Sequence, residues 1–277
     1  MQSLKFTRTN GNIPKKLAGE DHVSGLVIYS AALPSGFSES ERIKAVSTIE
    51  TAEALGITAD ADNWDIRVLH YQLSEIFRIN PGISLYVGIF TSPEGANTYA
   101  EVKKMQNFAD GRLRQIGVWD GHTPLAADNL TALQGVAATL EEQDMPLGII
   151  YAPKVSAVAS LPSNLAGDKE RVWTVIGQAG SSTGAALYVD AENTEKASVS
   201  GLGVVLGIVS LAAVHESIAW IEKFPTGVDV PAFGDGTLLK TLDRAVVEAL
   251  DKSRYLFFVT YSGPVSYTHL TLPTIRL

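Results

Sequence analysis

Short apolar runs alternate with amphipathic stretches along most of the chain. The apolar runs are rich in Val, Ile, Leu and aromatic residues and carry few charges, which is typical of strands covered on both faces of a sheet. They lie at residues 25–30, 83–90, 115–120, 146–153, 171–178 and 255–261. This alternation predicts an α/β layered fold, with a mainly parallel or mixed sheet flanked by helices.

The stretches between the apolar runs predict helices, because their apolar residues recur at three- and four-residue spacing. One helix is predicted over residues 39–56, with Gly56 as its stop signal. A second is predicted over residues 60–82, where Asp62 or Asn63 can cap the N-terminus. Further helices are predicted at residues 93–108, 129–143, 201–217 and 237–253.

Composition and charge exclude several classes of function. With 22 Lys and Arg against 30 Asp and Glu, the net charge is −8, which argues against nucleic acid or an anionic membrane as partner. The absence of cysteine excludes disulfides, thiol nucleophiles and thiolate zinc sites. The longest apolar run, residues 202–214, is too short to span a bilayer, and the N-terminus carries no apolar signal core. We therefore expect a soluble protein made in the cytoplasm.

The first twenty residues differ from the body of the chain. Residues 1–20 predict an extended N-terminal arm, in which the run LKFTRT alternates between apolar and polar residues. The arm is basic, and its charge could let it dock on an acidic neighbour. A frayed terminus with ordinary solubilising charges is the alternative. The basic residues are Lys5, Arg8, Lys15 and Lys16.

The last residues also stand apart. The run VSYTHLTLPT, residues 265–274, resembles the translated read-through of a transposase-based sequencing adapter. We therefore interpret residues 265–277 as a non-native tail, expect the natural protein to continue beyond Pro264, and set His269 aside as a functional residue. The alternative is a short genuine strand in which Tyr267, His269 and Leu270 alternate. Residues 21–264 then form the core domain.

One run has the form of a hydrolase motif. Gly180-Ser181-Ser182-Thr183-Gly184 reads G-x-S-x-G and follows a predicted strand, as the nucleophile turn of a serine hydrolase does. Ser182 would be the nucleophile, Asp190 or Glu192 the acid and His215 the base. Residues 185–189 favour a strand rather than the helix that this turn requires, so a flexible Gly/Ser loop is the alternative.

Three other runs approach known motifs and miss them. Residues 201–207 fail the dinucleotide fingerprint by one residue, and small residues there favour close helix packing at Gly203, Gly207 and Ser210. His215-Glu216 lacks a second histidine, since Ala219 stands at its position. The acids Asp60, Asp62 and Asp65 surround Trp64 and lack the glycine of a calcium loop, so helix capping accounts for them. No cofactor and no metal is predicted.

The order of segments resembles the contractile tail sheath proteins of phages and related injection systems, in particular a sheath-like prophage family long described as of unknown function. The segments that carry the resemblance are GEDHVSGLVIYSAALP at 19–34, INPGISLYVGIF at 79–90, GIIYAP at 148–153 and GLGVVLGIVSLAAVHESIAWIEKF at 201–224. The resemblance covers most of residues 1–264.

The resemblance implies a mechanical function without catalysis. Such subunits stack as hexameric rings around an inner tail tube, and contraction of this sheath drives the tube through a target envelope. It implies a homo-oligomer with the inner tube protein as partner, assembled in the host cytoplasm and then part of a virion tail or injection-system sheath. Family sheaths link neighbours by arms that add strands to an adjacent sheet. Here the candidate interface strand is Leu4, Lys5, Phe6, Thr7, Arg8 and Thr9.

Overall fold

A seven-stranded sheet organises the computed structural model, which describes residues 23–162, 169–191, 193, 196–212, 231–261 and 267–270. The strand order is β2-β3-β1-β4-β5-β6-β9, and only β2 runs antiparallel to its neighbour. The predicted α/β layered fold with a mainly parallel sheet is therefore confirmed. The sheet strands are β1 (Val23–Tyr29), β2 (Ile43–Val46), β3 (Ser84–Phe90), β4 (Gln115–Pro124), β5 (Gly148–Lys154), β6 (Val172–Val175) and β9 (Tyr255–Leu256).

Helices cover both faces of this sheet. The seven α-helices of the described residues are α1 (Ile49–Ala54), α2 (Trp64–Ile79), α3 (Ala100–Phe108), α4 (Ala127–Glu142), α5 (Ser182–Val189), α6 (Leu202–Leu211) and α7 (Arg244–Lys252). Helices α1, α2 and α6 pack in one apolar cluster, whereas α3 and α4 pack in a second. Strand β1 separates the two layers, because Leu26 and Ile28 belong to the first cluster while Val27 and Tyr29 belong to the second.

Two pairs of short strands lie outside the main sheet. Strands β7 (Gln178–Ala179) and β8 (Pro231–Ala232) pair antiparallel, as do β10 (Phe258–Tyr261) and β11 (Tyr267–Leu270). The predicted strand over residues 255–261 is therefore two strands in two different sheets. Strand β11 falls in the segment that resembles adapter read-through, and the pairing matches the alternative reading of that segment as a short strand. The arm at residues 1–20 lies outside the described residues.

The helix predicted over residues 39–56 is wrong in its first half. Residues Ile43–Val46 form β2, and α1 begins only at Ile49, where the Thr48 hydroxyl accepts a hydrogen bond from the Thr51 N–H. The apolar spacing there suits a helix, but Val46 is buried in the first cluster and the strand completes the sheet beside β3. Tertiary pairing thus overrides a local helical pattern.

The helix predicted over residues 93–108 is shorter than expected. Helix α3 begins at Ala100, after an exposed loop that ends at the buried Tyr99. The backbone of Tyr99 is left-handed, with φ of 53°, and this conformation sets where the helix starts. The helix predicted over residues 237–253 is also shorter, because α7 begins only at Arg244 and Leu239–Thr241 form a separate 3-10 turn. Asn63, one of the two predicted caps, caps α2 by accepting hydrogen bonds from the N–H groups of Asp65 and Ile66.

Candidate functional site

Strand β2 forms an open edge of the seven-stranded sheet in the described part of the chain. The Ile89 N–H donates to the carbonyl of Arg42 at 3.0 Å, which fixes the hydrogen-bonding register between β2 and β3. In an antiparallel pair, the backbone N–H and C=O groups of successive residues point alternately toward the partner strand and away from it. The N–H and C=O groups of Ile43 and Ala45 therefore point away from β3, toward the side where a further strand would lie.

A groove runs beside this edge. It has a volume of about 480 Å³ and lies between β2 and α3. Phe108, at the end of α3, is 51% exposed, and its ring lies edge-on to Tyr86 with the centroids 5.8 Å apart. The Lys104 ammonium lies 5.6 Å from the centroid of the Phe90 ring. The groove thus combines an aromatic surface with an unpaired strand edge.

Acidic side chains stand at the entrance to β2. Glu39 and Glu41 form ion pairs with Arg42 and Lys44, and their carboxylates remain 81% and 66% exposed. The hydrogen bond from Lys44 lowers the pKa of Glu41. The groove lining also carries Arg42, Lys44 and Lys104, so three cations stand against these two carboxylates.

A second polar assembly lies at the carboxyl ends of the central strands. The Asp120 carboxylate, 2% exposed at the end of the regular part of β4, accepts hydrogen bonds from the hydroxyls of Thr123 at 2.6 Å and Tyr99 at 2.9 Å. Tyr99 and Tyr151 hydroxyls are 2.9 Å apart, and the Asn129 amide donates to the Tyr99 hydroxyl at 2.7 Å. We call these five residues the Asp120 cluster. It joins the loop before α3 to β4, β5 and α4.

Burial dominates the electrostatics of the Asp120 cluster. Desolvation raises the pKa of Asp120, although the hydroxyls of Thr123, Tyr99 and Tyr151 favour its charged form. Desolvation also raises the pKa values of Tyr99 and Tyr151 far above the ordinary value for tyrosine, and the nearby Asp120 charge adds to this effect. Both tyrosines are therefore neutral hydrogen-bond donors at any physiological pH.

An open cleft of about 920 Å³ lies next to the Asp120 cluster, between the loops that follow β3 and β4. Asn97, Thr123 and Asn129 line it together with small residues of α3 and α4, including Ala100 and Ala132. Crevices at the carboxyl ends of parallel strands are a common place for ligands in α/β folds. Its volume is also within the range of small-molecule sites.

The structure gives one observation in favour of the hydrolase alternative, the backbone of Ser182, and one against it, the ion pair of Asp190. Ser182 is exposed and begins α5 after Gly180 and Ser181, the two residues that follow β7. Its left-handed φ of 54° is the kind of strained backbone expected of a nucleophile turn. The expectation that residues 185–189 favour a strand is wrong, because they belong to α5. However, the Asp190 carboxylate is paired with the Arg67 guanidinium at 2.9 Å. His215 and Glu192 lie outside the described residues.

The near-dinucleotide run at residues 201–207 is a site of close helix packing, as predicted. A Cβ added to Gly203 would lie 2.4 Å from the backbone oxygen of Gln72, and one added to Gly207 would lie 3.0 Å from the Ile79 Cβ. The Ser210 hydroxyl accepts a hydrogen bond from Asn80 at 2.8 Å. Helix α6 therefore approaches α2 through small residues rather than presenting a nucleotide loop.

Two histidines and two of the calcium-like acids, Asp60 and Asp65, have ordinary partners. The His122 ring nitrogen lies 2.7 Å from the Asp65 carboxylate, and that of His70 lies 3.0 Å from Glu53. A hydrogen bond from Thr58 lowers the pKa of Asp60. Among the residues that the structure describes, no group of three or more His, Asp or Glu could hold a metal ion.

Sequence reasoning missed both the β2 edge and the Asp120 cluster. The edge was missed because the spacing of its apolar residues predicted a helix. The cluster draws Tyr99, Asp120 and Tyr151 from three separate elements, so no spacing within the sequence connects them. The one signal available was that Asp120 and Tyr151 stand at or near the ends of apolar strands, where parallel strands bring side chains together.

The candidate interface strand Leu4–Thr9 lies outside the described residues. Within the described ranges, no helix combines the length and apolar character needed to cross a bilayer. A family model described as DUF2586, N-terminal domain, matches residues 1–267, nearly the whole chain. No curated protein sequence matches the chain.

Proposed function

The chain belongs to the DUF2586 family, and we propose that it is a structural subunit of a contractile tail sheath in a phage or phage-like injection system. Copies assemble into a helical tube of stacked hexameric rings around an inner tube protein. Contraction of this tube drives the inner tube through a target envelope. The subunit is assembled in the host cytoplasm and uses no cofactor and no catalysis.

The observation that carries this proposal is the open β2 edge. A sheet edge with outward-facing N–H and C=O groups is a template for pairing with another chain. A self-assembling subunit can use such a surface to pair with another chain. The order of segments that resembles sheath proteins supports the same function independently of the edge.

Negative-stain electron microscopy tests the proposal directly. The sample is the full chain, examined alone and with its candidate inner tube protein. Tubes or ring stacks of uniform width are expected, and a matched variant with a scrambled arm at residues 1–20 should remain unassembled. A monodisperse monomer or dimer that stays unassembled with the inner tube protein overturns the sheath function.

An α/β hydrolase-like enzyme is the second candidate, because Ser182 has the strained backbone of a nucleophile turn. The test is labelling with a fluorophosphonate probe, which modifies activated serines. Ser182→Ala should abolish labelling if the hydrolase is correct, whereas Ser181→Ala at the neighbouring position should not. A sheath subunit is expected to give no label above the level of the Ser182→Ala variant.

A further inference from the structure

The order of strands in the main sheet reverses at β1. The chain passes from β1 to β3 on one side and then crosses back to β4 on the other. Helix α2, which follows β1, and helices α3 and α4, which follow β3 and β4, cover opposite faces of the sheet. Outside the carboxyl ends of the strands, such a reversal forms the crevice in which α/β sheets bind ligands. The open cleft of about 920 Å³ lies there, because residues 92–98 after β3 and Thr123 at the end of β4 line it.

Three polar side chains of this cleft are held in place from behind. The Asn97 Oδ1 atom accepts a hydrogen bond from the Tyr99 N–H at 2.8 Å. The Thr123 hydroxyl donates to the Asp120 carboxylate at 2.6 Å. The Asn129 amide donates to the Tyr99 hydroxyl at 2.7 Å. Because these side chains are already ordered, they lose little conformational entropy when a ligand binds.

The same hydrogen bonds decide what these side chains can offer to a ligand. The Thr123 hydroxyl gives its one proton to Asp120, so it can act only as an acceptor toward the cleft. The Tyr99 hydroxyl donates to Asp120 and accepts from the Asn129 Nδ2 group, which leaves the Asn129 Oδ1 atom as a further acceptor. The end of the cleft nearest the strands thus matches N–H donors in a ligand.

Two opposite charges line the cleft, one on each helix. They are Lys103 on α3 and Asp128 on α4, and the other lining residues are uncharged. Within the described part of the chain, neither side chain forms a hydrogen bond or an ion pair, whereas the neighbouring Lys104 lies 3.5 Å from Glu101. An ammonium and a carboxylate that face one cleft without partners are complementary to a ligand that carries both charges.

The space between the two charges sets the length of the ligand. Axes of neighbouring helices lie about 8–10 Å apart, so a ligand that reaches both charges spans a similar distance. Three residues of extended peptide cover about 10 Å. The surface between the charges is made of small residues, which suit a ligand with small side chains: Ala100, Ala132, Gly135 and Val136. A short peptide meets the span, the two charges and the need for N–H donors together.

We propose that this cleft binds a free peptide of about three small residues. Its amino terminus lies at Asp128 and its carboxyl terminus at Lys103, while its amide N–H groups donate to Thr123 and Asn129. Both terminal charges are recognised, so an internal segment of a protein does not qualify. This site goes beyond the sheath function and does not depend on assembly.

Titration of the isotope-labelled full chain, followed by the shifts of its amide NMR signals, tests the site. The probe is trialanine, and the matched controls are N-acetyl-trialanine, which lacks the ammonium, and trialanine amide, which lacks the carboxylate. We expect trialanine to bind with a Kd of about 0.1–1 mM. Each blocked peptide should bind about fivefold more weakly. Equal affinity for the three peptides, or no binding of trialanine at about 10 mM, overturns the proposal.

Substitutions at the two charges test their separate roles. Lys103→Gln should make trialanine and its amide bind equally, and Asp128→Asn should make trialanine and its acetylated form bind equally. Lys104→Gln, next to Lys103 but outside the cleft, and Glu142→Gln, at the far end of α4, are the matched controls and should keep the wild-type preference. If Lys103→Gln or Asp128→Asn keeps that preference, its charge does not hold the peptide and the proposal fails.

A steric variant tests the position of the peptide without removing a charge. A Cβ added at Gly135 meets nothing within 4 Å, so Gly135→Leu fits and favours the helix while its side chain occupies the cleft. We expect the melting temperature to stay the same or rise, and the affinity for trialanine to fall by at least about tenfold. Wild-type affinity in this variant would place the peptide elsewhere and overturn the proposal.

Discussion

Replacement of Gly203 by alanine should push helix α6 away from helix α2, which packs beside it on one face of the sheet. The added Cβ would lie 2.4 Å from the Gln72 backbone oxygen and 2.9 Å from its Oε1 atom. Ordinary contacts begin near 3.4 Å, so α6 must move by about 1 Å away from α2. The backbone oxygen of Gln72 belongs to a helix, so it cannot turn aside as a flexible side chain would.

The cost follows from packing and hydrogen bonding. Overpacking of a core site costs about 1–3 kcal/mol. The shift also weakens two buried hydrogen bonds, Gly203 N–H to Gln72 Oε1 at 2.6 Å and Gln72 Nε2 to Ser200 O at 2.9 Å, each of which contributes about 1 kcal/mol. Alanine recovers about 0.5–1 kcal/mol of helix propensity. We expect a net loss of about 2–4 kcal/mol, or about 5–10 °C in melting temperature.

Circular dichroism melting and urea unfolding measure this effect. The matched control is Gly135→Ala on α4, where an added Cβ meets nothing within 4 Å, so the same substitution should raise stability by about 0.5–1 kcal/mol. Opposite signs at the two helical glycines are the expected result. A Gly203→Ala variant as stable as the wild type would refute the close approach of α6 to α2.

Three further predictions concern single side chains. Burial raises the pKa of the Asp120 carboxyl, so its ionisation destabilises the folded wild type, and Asp120→Asn should gain stability relative to the wild type as pH rises above about 4, the ordinary pKa of aspartate. Urea unfolding at several pH values measures this, and a stability difference that does not change with pH contradicts it. Asn63→Ala should lower the free energy of unfolding by about 1 kcal/mol, because it removes the side-chain cap of α2. Ala126→Ser should raise it by about 0.5–1 kcal/mol, because the N-cap of α4 has an extended backbone and no side-chain hydrogen bond. Melting temperatures that move in the same direction for both variants would contradict these caps. Tyr151→Phe should cost about 1–2 kcal/mol by leaving the Tyr99 hydroxyl and Asp120 with one partner fewer, and an unchanged free energy of unfolding would show that the hydroxyl pair is not formed.

Much of the fold could be predicted from the sequence, because most buried strands are continuous runs of mainly apolar residues. Strands β3, β4 and β5 are apolar on both faces, and local hydrophobicity identifies such strands directly. The close packing predicted at residues 203–210 also follows from local composition, since only small residues admit a neighbouring helix so closely. In these regions the local pattern and the tertiary environment agree.

The errors lie where tertiary contacts oppose local pattern. Residues 43–46 have helical spacing, but pairing with β3 makes them a strand. Residues 185–189 have β-prone side chains, but the turn at Ser182 leads them into α5, where the Trp64 indole donates a hydrogen bond to the carbonyl of Leu187. A cross-strand or cross-helix partner more than forty residues away cannot be read from a local window.

The candidate sites were harder to predict than the fold for the same reason. The open edge of β2 was concealed by the helical spacing of residues 39–56. The Asp120 cluster depends on the order in which strands are laid side by side. Strand order is a property of the whole sheet, so the convergence of Tyr99, Asp120 and Tyr151 becomes visible only in three dimensions.

The buried Tyr99 side chain also sets a limit to sequence change in the segment before α3: the residues before it can vary or accept insertions, whereas Tyr99 itself cannot. Residues 92–96 are exposed, and an added Cβ at Gly95 meets nothing within 4 Å, so this stretch can lengthen or carry an inserted tag without disturbing the core. Tyr99 is the point to which any such insertion must return the chain, because its left-handed backbone starts α3 and its hydroxyl holds the ends of three elements. Variation in loop length among relatives should therefore stop abruptly at Tyr99, and Gly95 is the natural place to attach a label.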